Sequence, residues 1–361
     1  MNPNYRYLLV SRSPSLRTIH QNVPLKVKEL IFKEASFTVD GIEHLLSMEI
    51  RKPNGKFPNN PHPHSISYDF DSDGRGEYEP TPETGDIQLF EPWTLHTRVI
   101  HKTLIGTVVY TAIDESDKRE EPEGLKQSRY PPGYKLRDAF RNLIGNFMNA
   151  YTTVKTLNIF MFETLRLPLD LKFKVQRFEI PSGIPEIVRS LINPSYPLAN
   201  LTIRVSNPNR FQISEEFLSS TNRLTIGRGG KTIPFGSWGE AFARIAHKSI
   251  RVHRECDQRH LNFVVEHWLN YPRETGAKIE FQTEWVQNKM DRVITQILAV
   301  RGVFKKRRHP DFPYCGTIQV SRTSELNIYG STVLVENSEL WKKSITVLVF
   351  EVMELESARR I

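Results

Sequence analysis

The sequence predicts a mixed α+β or α/β protein. A β-hairpin module stands near the N-terminus, and a body of alternating helices and strands follows and ends in β-strands. Three observations predict it. Asp40-Gly41 separates two runs of alternating character, 37–39 and 42–50. Such a pair marks a tight hairpin because the turn needs positive φ. Beyond residue 184, short apolar helices recur, each ahead of a short β-branched run. The C-terminal segment then alternates apolar and polar residues with a period of two.

The first twenty residues read as two short helices. Pro3 suits a first helical turn, and Ser13-Pro14 restarts a helix that carries Leu16 and Ile19. Leu25, Val27 and Ile31 alternate with lysines and Glu29, as in a half-buried strand. The hairpin pairs Phe37 and Val39 with Ile42, His44, Leu46, Met48 and Ile50, and Ile66, Tyr68 and Phe70 mark a further strand. Leu136, Phe140, Leu143, Ile144, Phe147 and Tyr151 recur at 3.6-residue spacing and predict a helix over 136–151. Leu165, Leu167, Leu169, Leu171, Phe173 and Val175 then alternate with polar residues and predict a strand, with Pro168 at an edge or kink.

The recurring unit comes next. Helices around Ile184–Leu191, Glu215–Leu218, Phe242–Ile245 and Leu261–Trp268 each precede a strand. Ser237 and Glu240 have the spacing of a capping box for the third helix. The strand centres, 202, 225, 251 and 280, step by 23, 26 and 29 residues. That range overlaps the roughly 20–29 residues of leucine-rich repeats, without their asparagine ladder. The expectation is an irregular leucine-rich-repeat-like array, with an ordinary α/β layer as the alternative. A helix carrying Val286, Met290, Val293, Ile294, Ile297 and Leu298 follows. Strands at Ile318/Val320, Leu326/Ile328, Val333/Val335 and Ile345–Val352 close the chain, the last as a central strand.

Composition bounds the function. At 361 residues the chain is about two to three typical domains long. With 39% hydrophobic and 25% charged residues it is neither disordered nor fibrous. No run reaches the roughly 18 apolar residues of a membrane span, and Met1–Arg6 lacks signal-peptide order. Only Cys256 and Cys315 are present, so a reducing compartment, cytoplasm or nucleus, is expected.

The net charge is +8, but residues 69–86 alone carry −6, leaving +14 elsewhere. Lys305, Lys306, Arg307 and Arg308 form the densest basic run. It reads as a solvated loop and a candidate anion-binding or nuclear-import run. Prolines 53, 58, 61, 63, 80 and 82 and the charged stretch 114–133 read as surface connections. The expected domains are 1–22 (helical), 23–113 (β-rich with an acidic, proline-rich loop), 114–133 (charged loop) and 134–361 (helix-strand body).

Several strings imitate known sites. Asp69-x-Asp71-x-Asp73-Gly74 opens like a calcium loop, but Pro80 takes the place of the bidentate glutamate. Gly227, Arg228, Gly229, Gly230 and Lys231 match the Gly-x-x-Gly loop of a KH domain, which clamps single-stranded nucleic acid. Pro234 and Gly236 interrupt the helix that should follow it. His253, Cys256 and His260 lack the paired spacing of a zinc site. Asn200-Leu201-Thr202 is a glycosylation sequon without a secretory signal. No nucleophile-elbow, zincin or kinase pattern is present, so neither catalytic residues, cofactor nor metal is expected.

The run Asn2-Pro3-Asn4-Tyr5-Arg6-Tyr7-Leu8-Leu9-Val10-Ser11-Arg12-Ser13-Pro14-Ser15-Leu16-Arg17 resembles the second half of an F-box. Val23–Lys28, Tyr68-Asp69-Phe70, Gly74, Tyr78, Pro80, Gly85-Asp86-Ile87, Leu165–Val175 and Ser195-Tyr196-Pro197-Leu198 follow in family order. Together they resemble a nematode family of F-box-associated proteins, F-box C protein-like, with an associated domain of unknown function. The resemblance spans nearly the whole chain except about 90–130. It implies a non-enzymatic, substrate-recruiting subunit of a cullin-type ubiquitin ligase. A helical module would dock on the ligase's small adaptor, and the rest would capture an unknown target protein. The adaptor contacts would be Pro3, Leu8, Leu9 and Leu16. The first F-box helix, ahead of the Asn2-Pro3 turn, is expected to be missing. The alternative partner is nucleic acid, held by the Gly227–Lys231 loop and the basic run.

Overall fold

A computed structural model describes residues 3–4, 6, 13–33, 36–51, 68–70, 76–78, 87–88, 105–114, 126–129, 136–160, 164–165, 167–168, 171–181, 189–205, 215–228, 238–253, 258–283, 287–299, 303–309, 312–338 and 341–355. The chain divides into two units, Met1–Ile180 with Ile184–Pro197 and Pro181–Gly183 with Leu198–Ile361.

The first unit contains α1 (Pro14–Asn22), β1 (Lys26–Phe32), β2 (Ser36–Val39), β3 (Ile42–Arg51), β4 (Tyr68–Phe70), β5 (Gly76–Tyr78), β6 (Ile87–Gln88), β7 (Ile105–Asp114) and β8 (Lys126–Arg129). It continues with α2 (Leu136–Phe147), β9 (Thr153–Ile159), β10 (Thr164–Leu165) and β11 (Lys174–Pro181). Its main sheet has the order β11-β9-β1-β2-β3-β7-β8. β9 runs parallel to both β1 and β11. The expected division at residue 134 therefore falls inside one sheet, because strands from both sides of it pair. The charged stretch 114–133 contains β8, which pairs with β7.

The hairpin forms where expected. Asp40 and Gly41 have φ of 48° and 88°, and Val39 pairs with Ile42 across the turn. The Asp40 carboxylate accepts hydrogen bonds from the backbone N–H groups of Lys28 (2.8 Å) and Glu29 (2.9 Å). Its own N–H donates to the Glu29 carbonyl at 3.0 Å. The turn is thus tied back to β1. Helix α2 buries Ala139, Phe140, Leu143, Ile144 and Phe147. Phe140 and Phe147 meet the Phe37 ring edge-to-face at 5.9 and 5.4 Å.

Two expectations need correction here. Helix α2 stops at Phe147 rather than Tyr151. The Asn149 side chain accepts from the Tyr151 N–H at 3.0 Å, and the Thr152 hydroxyl accepts from the Asn149 N–H at 2.9 Å. Those local bonds compete with helical ones. Residues 165–175 are also not one strand. Pro168 has no N–H to give a ladder, and its carbonyl accepts from Leu171 in a turn. Leu165 and Leu167 are still buried and Leu171 is half-buried, but β10 and β11 are separate.

The second unit contains β12 (Asn200–Val205), α3 (Glu215–Ser219), β13 (Leu224–Arg228), α4 (Trp238–Arg244), β14 (Ser249–Val252), α5 (Gln258–Asn270), β15 (Lys278–Thr283) and α6 (Gln287–Leu298). Then come β16 (Val303–His309), β17 (Phe312–Gln319), β18 (Ser324–Ser338) and β19 (Trp341–Glu354). The four strands whose centres step by 23, 26 and 29 residues lie side by side, parallel and in chain order. β19 then pairs antiparallel with β15, and β18, β17 and β16 follow outward. Val347-Leu348-Val349-Phe350 is central and fully buried, as expected.

One sheet face is apolar. Leu201, Leu224, Ile250, Ile279, Phe350 and Ile328 are successive cross-strand partners, and all are buried. Each such side chain contributes about 1.5–3 kcal/mol. Helix residues including Phe242, Leu261, Val264, Trp268 and Ile294 are also buried. Phe242 meets Phe281 at 5.9 Å.

Helices α4 and α5 approach at Gly239. A Cβ there would stand 3.0 Å from the His260 backbone and 3.1 Å from Phe263 Cβ. Neither neighbour is the far end of a flexible chain, so Gly239→Ala is expected to cost about 1–3 kcal/mol by overpacking. Thermal unfolding should show a lowered Tm; an unchanged Tm would mean the two helices can separate freely.

The basic run is a strand, not a loop. Lys305, Lys306, Arg307 and Arg308 belong to β16, whose sheet neighbour is β17. Consecutive cations on a sheet edge discourage further strand pairing. Among the described residues, no helix is long and apolar enough to cross a membrane.

Candidate functional site

The N-terminal segment is fastened to the first unit by polar side chains. Ser13 caps α1, its hydroxyl facing the Leu16 N–H at 3.5 Å, and Pro14 follows where a missing N–H costs nothing. At the other end, helical carbonyls lack internal partners. Arg6 donates to the carbonyls of His20 (3.0 Å), Val23 (2.7 Å) and Pro24 (3.0 Å). Asn149, from the turn after α2, donates to His20 (2.8 Å) and Val23 (3.0 Å). The Arg6 charge also complements the negative end of the α1 dipole.

A second fastening lies deeper. Asn4 Nδ2 donates to the Val39 carbonyl at 3.0 Å, which leaves Asn4 Oδ1 facing His44 Nε2 at 2.9 Å. An amide oxygen only accepts, so His44 carries its proton on Nε2. The ring stacks on Phe37 at 5.0 Å and lies 4.3 Å from Phe147. Burial lowers the His44 pKa to about 3, so the ring is neutral.

Held in this way, α1 turns apolar side chains outward. Leu16, Ile19 and Val23 are 40%, 57% and 43% exposed. Their i, i+3, i+7 spacing places them on one stripe of the helix and its cap. Of the four expected adaptor contacts, Leu16 is on this surface and Pro3 is buried, beside the anchoring Asn4. Leu8 and Leu9 lie outside the described residues. Ile19 and Val23 join the site without having been singled out. Their stripe spacing was the available signal.

The second unit offers a polar sheet face. Thr202, Thr225, Arg251 and Glu280 are successive cross-strand partners. Arg251 Nε donates to Glu280 Oε2 at 2.7 Å, and Lys278 Nζ lies 2.8 Å from Oε1. Burial alone would raise the Glu280 pKa. The Lys278 hydrogen bond and the Arg251 charge outweigh it and hold the carboxyl below its ordinary value. His253, just beyond Arg251, is lowered first by burial and then by the Arg251 charge. Both Glu280 oxygens are committed to cations, so this carboxylate serves as a structural ion pair rather than a base. Its partners are 29 residues apart, one step of the recurring unit, and no linear motif reveals them.

The remaining strings are dispersed. Gly227 and Arg228 are strand residues of β13, while Gly229, Gly230 and Lys231 lie outside the described residues. A Cβ on Gly227 would make an ordinary contact, 3.7 Å, with Arg204. Five strands separate β13 from β16. At about 4.8 Å per strand, Gly227 and the basic run stand roughly 29 Å apart across the sheet. His253 follows the end of β14 and His260 lies on α5, and Cys256, Asp71 and Asp73 fall outside the described residues. Among the described residues, no group of three His, Cys, Asp or Glu is placed to hold a metal. The Asn200 amide is engaged by Thr202 (2.9 Å) and Thr225 (2.8 Å) within the sheet.

Residues 135–284 match the model of a family described as a domain of unknown function (DUF3557). The match begins at α2 and ends with β15, covering less than half of the chain. No curated protein matches the sequence.

Proposed function

We propose that this chain is a non-enzymatic protein-interaction module of the F-box-associated type, the substrate-recruiting subunit of a cullin-type ubiquitin ligase. The observation that carries the reading is the exposed Leu16–Ile19–Val23 stripe on a helix whose C-terminal end is fastened by Arg6 and Asn149. A docking helix already held in place does not pay its ordering entropy on binding. The α1 face takes the ligase's small adaptor. The irregular leucine-rich-repeat-like body, whose parallel strands follow chain order, takes the target. The mechanism is proximity, which requires no catalytic residue, and it operates in the cytoplasm or nucleus. Nucleic-acid binding is less well supported, because the two features it needs are roughly 29 Å apart.

The test is co-elution of the full chain with the small F-box adaptor on size exclusion. Wild type should co-elute and Ile19→Asp should not, since a charge on the stripe would be buried unpaired. Failure of the wild-type chain to co-elute would sink the ligase reading.

A further inference from the structure

We infer that Tyr151 completes the α1 docking face, and that the occupant of this composite face is an acidic protein surface with an apolar groove. The inference deepens the adaptor reading above and rests on it. Tyr151 belongs to the turn before β9, far from α1 in sequence, yet it lies beside the end of α1. The Thr153 N–H donates to the Leu25 carbonyl at 2.8 Å, and Lys26 pairs with Thr153 in the parallel β1–β9 register. Residues 23–25 therefore run alongside 151–153. One Asn149 amide bridges the two segments, donating to Val23 and accepting from the Tyr151 N–H.

Tyr151 is 50% exposed. Single exposed apolar residues are ordinary. Here Leu16, Ile19, Val23 and Tyr151 supply four of the six exposed large hydrophobic side chains among the described residues; three share the α1 stripe, and Tyr151 stands on the segment that Asn149 ties to Val23. Clustering of that kind marks an interaction site. An aromatic anchor with few rotatable bonds is the residue type that most often dominates a protein interface.

Charge selects the partner. Residues 1–28 contain Arg6, Arg12, Arg17, Lys26 and Lys28 and neither Asp nor Glu. Of these, Arg6 borders the C-terminal end of α1 and Lys26 and Lys28 are exposed on β1 just beyond it, so an acidic partner would be steered onto the stripe.

The experiment titrates the full chain with the small F-box adaptor, comparing wild type, Tyr151→Ser and Tyr271→Ser. Tyr271 is a more exposed aromatic, 66%, on the second unit and serves as control. Tyr151→Ser should weaken binding about tenfold or more, and Tyr271→Ser should not change it. Association should slow when salt rises from about 50 to about 300 mM. If Ile19→Asp abolishes binding but Tyr151→Ser binds like wild type, the composite face is refuted while the adaptor reading stands. Binding that ignores salt refutes the acidic occupant. If wild type does not bind at all, both readings fall. Self-association of the chain that Tyr151→Ser removes would assign the face to a second copy and overturn the inference. Matching Tm values for the variants would exclude misfolding as the cause.

Discussion

Replacing Arg251 with methionine is expected to destabilise the second unit by about 3–5 kcal/mol, the usual cost of stranding one half of a buried ion pair. Glu280 is only 4% exposed and Arg251 7%, so water cannot replace the lost partner. Lys278 remains at 2.8 Å, but its side chain is 31% exposed and solvated. The double variant Arg251→Met, Glu280→Leu should recover most of the loss, because an apolar pair of similar volume needs no desolvation of charge. Urea unfolding of the three proteins decides it. A single variant costing less than about 1 kcal/mol, the range of exposed pairs, would show that the pair is solvated.

Acidification is expected to weaken the first unit through His44. The folded pKa is about 3 against an ordinary 6.5. The unfolded chain thus takes up a proton between those values that the folded chain refuses. The stabilisation is complete above pH 6.5 and is lost as pH falls toward 3. By linkage, the loss relative to pH 7 is about 2 kcal/mol at pH 5 and about 3 kcal/mol at pH 4. His20 is lowered mainly by burial and then by the Arg6 charge, and it adds in the same direction. His44→Gln, which cannot charge, should flatten most of the pH 4–7 dependence seen in denaturant midpoints. A wild-type midpoint that does not move over that range would mean His44 is not buried neutral.

What the sequence made legible was mostly local. Asp40-Gly41 names its own turn, and the four strands centred from 202 to 280 lie as neighbours because short crossovers bring successive strands together. Where one residue overrode a pattern, the pattern misled. Pro168 broke the period-two run at 165–175, and Asn149 ended a helix whose spacing continued to Tyr151. The basic run looked like a loop because charge alone cannot separate a solvated loop from an edge strand. Long-range features left no local trace. The fastening of α1 uses Arg6 and Asn149, the latter 129 residues from the His20 carbonyl that it reaches, and the partnership of Arg251 with Glu280 depends on strand register. Leu16 was recognisable as a surface candidate, whereas the burial of Pro3 and the exposure of Tyr151 follow only from the fold.

Amide hydrogen exchange of the full chain, with and without the small F-box adaptor, tests the central claim most directly. The account predicts slowed exchange on adaptor binding within residues 14–24 and 149–152, with β12 to β15 unchanged. Unchanged exchange over 14–24, or protection confined to the second unit, would contradict it.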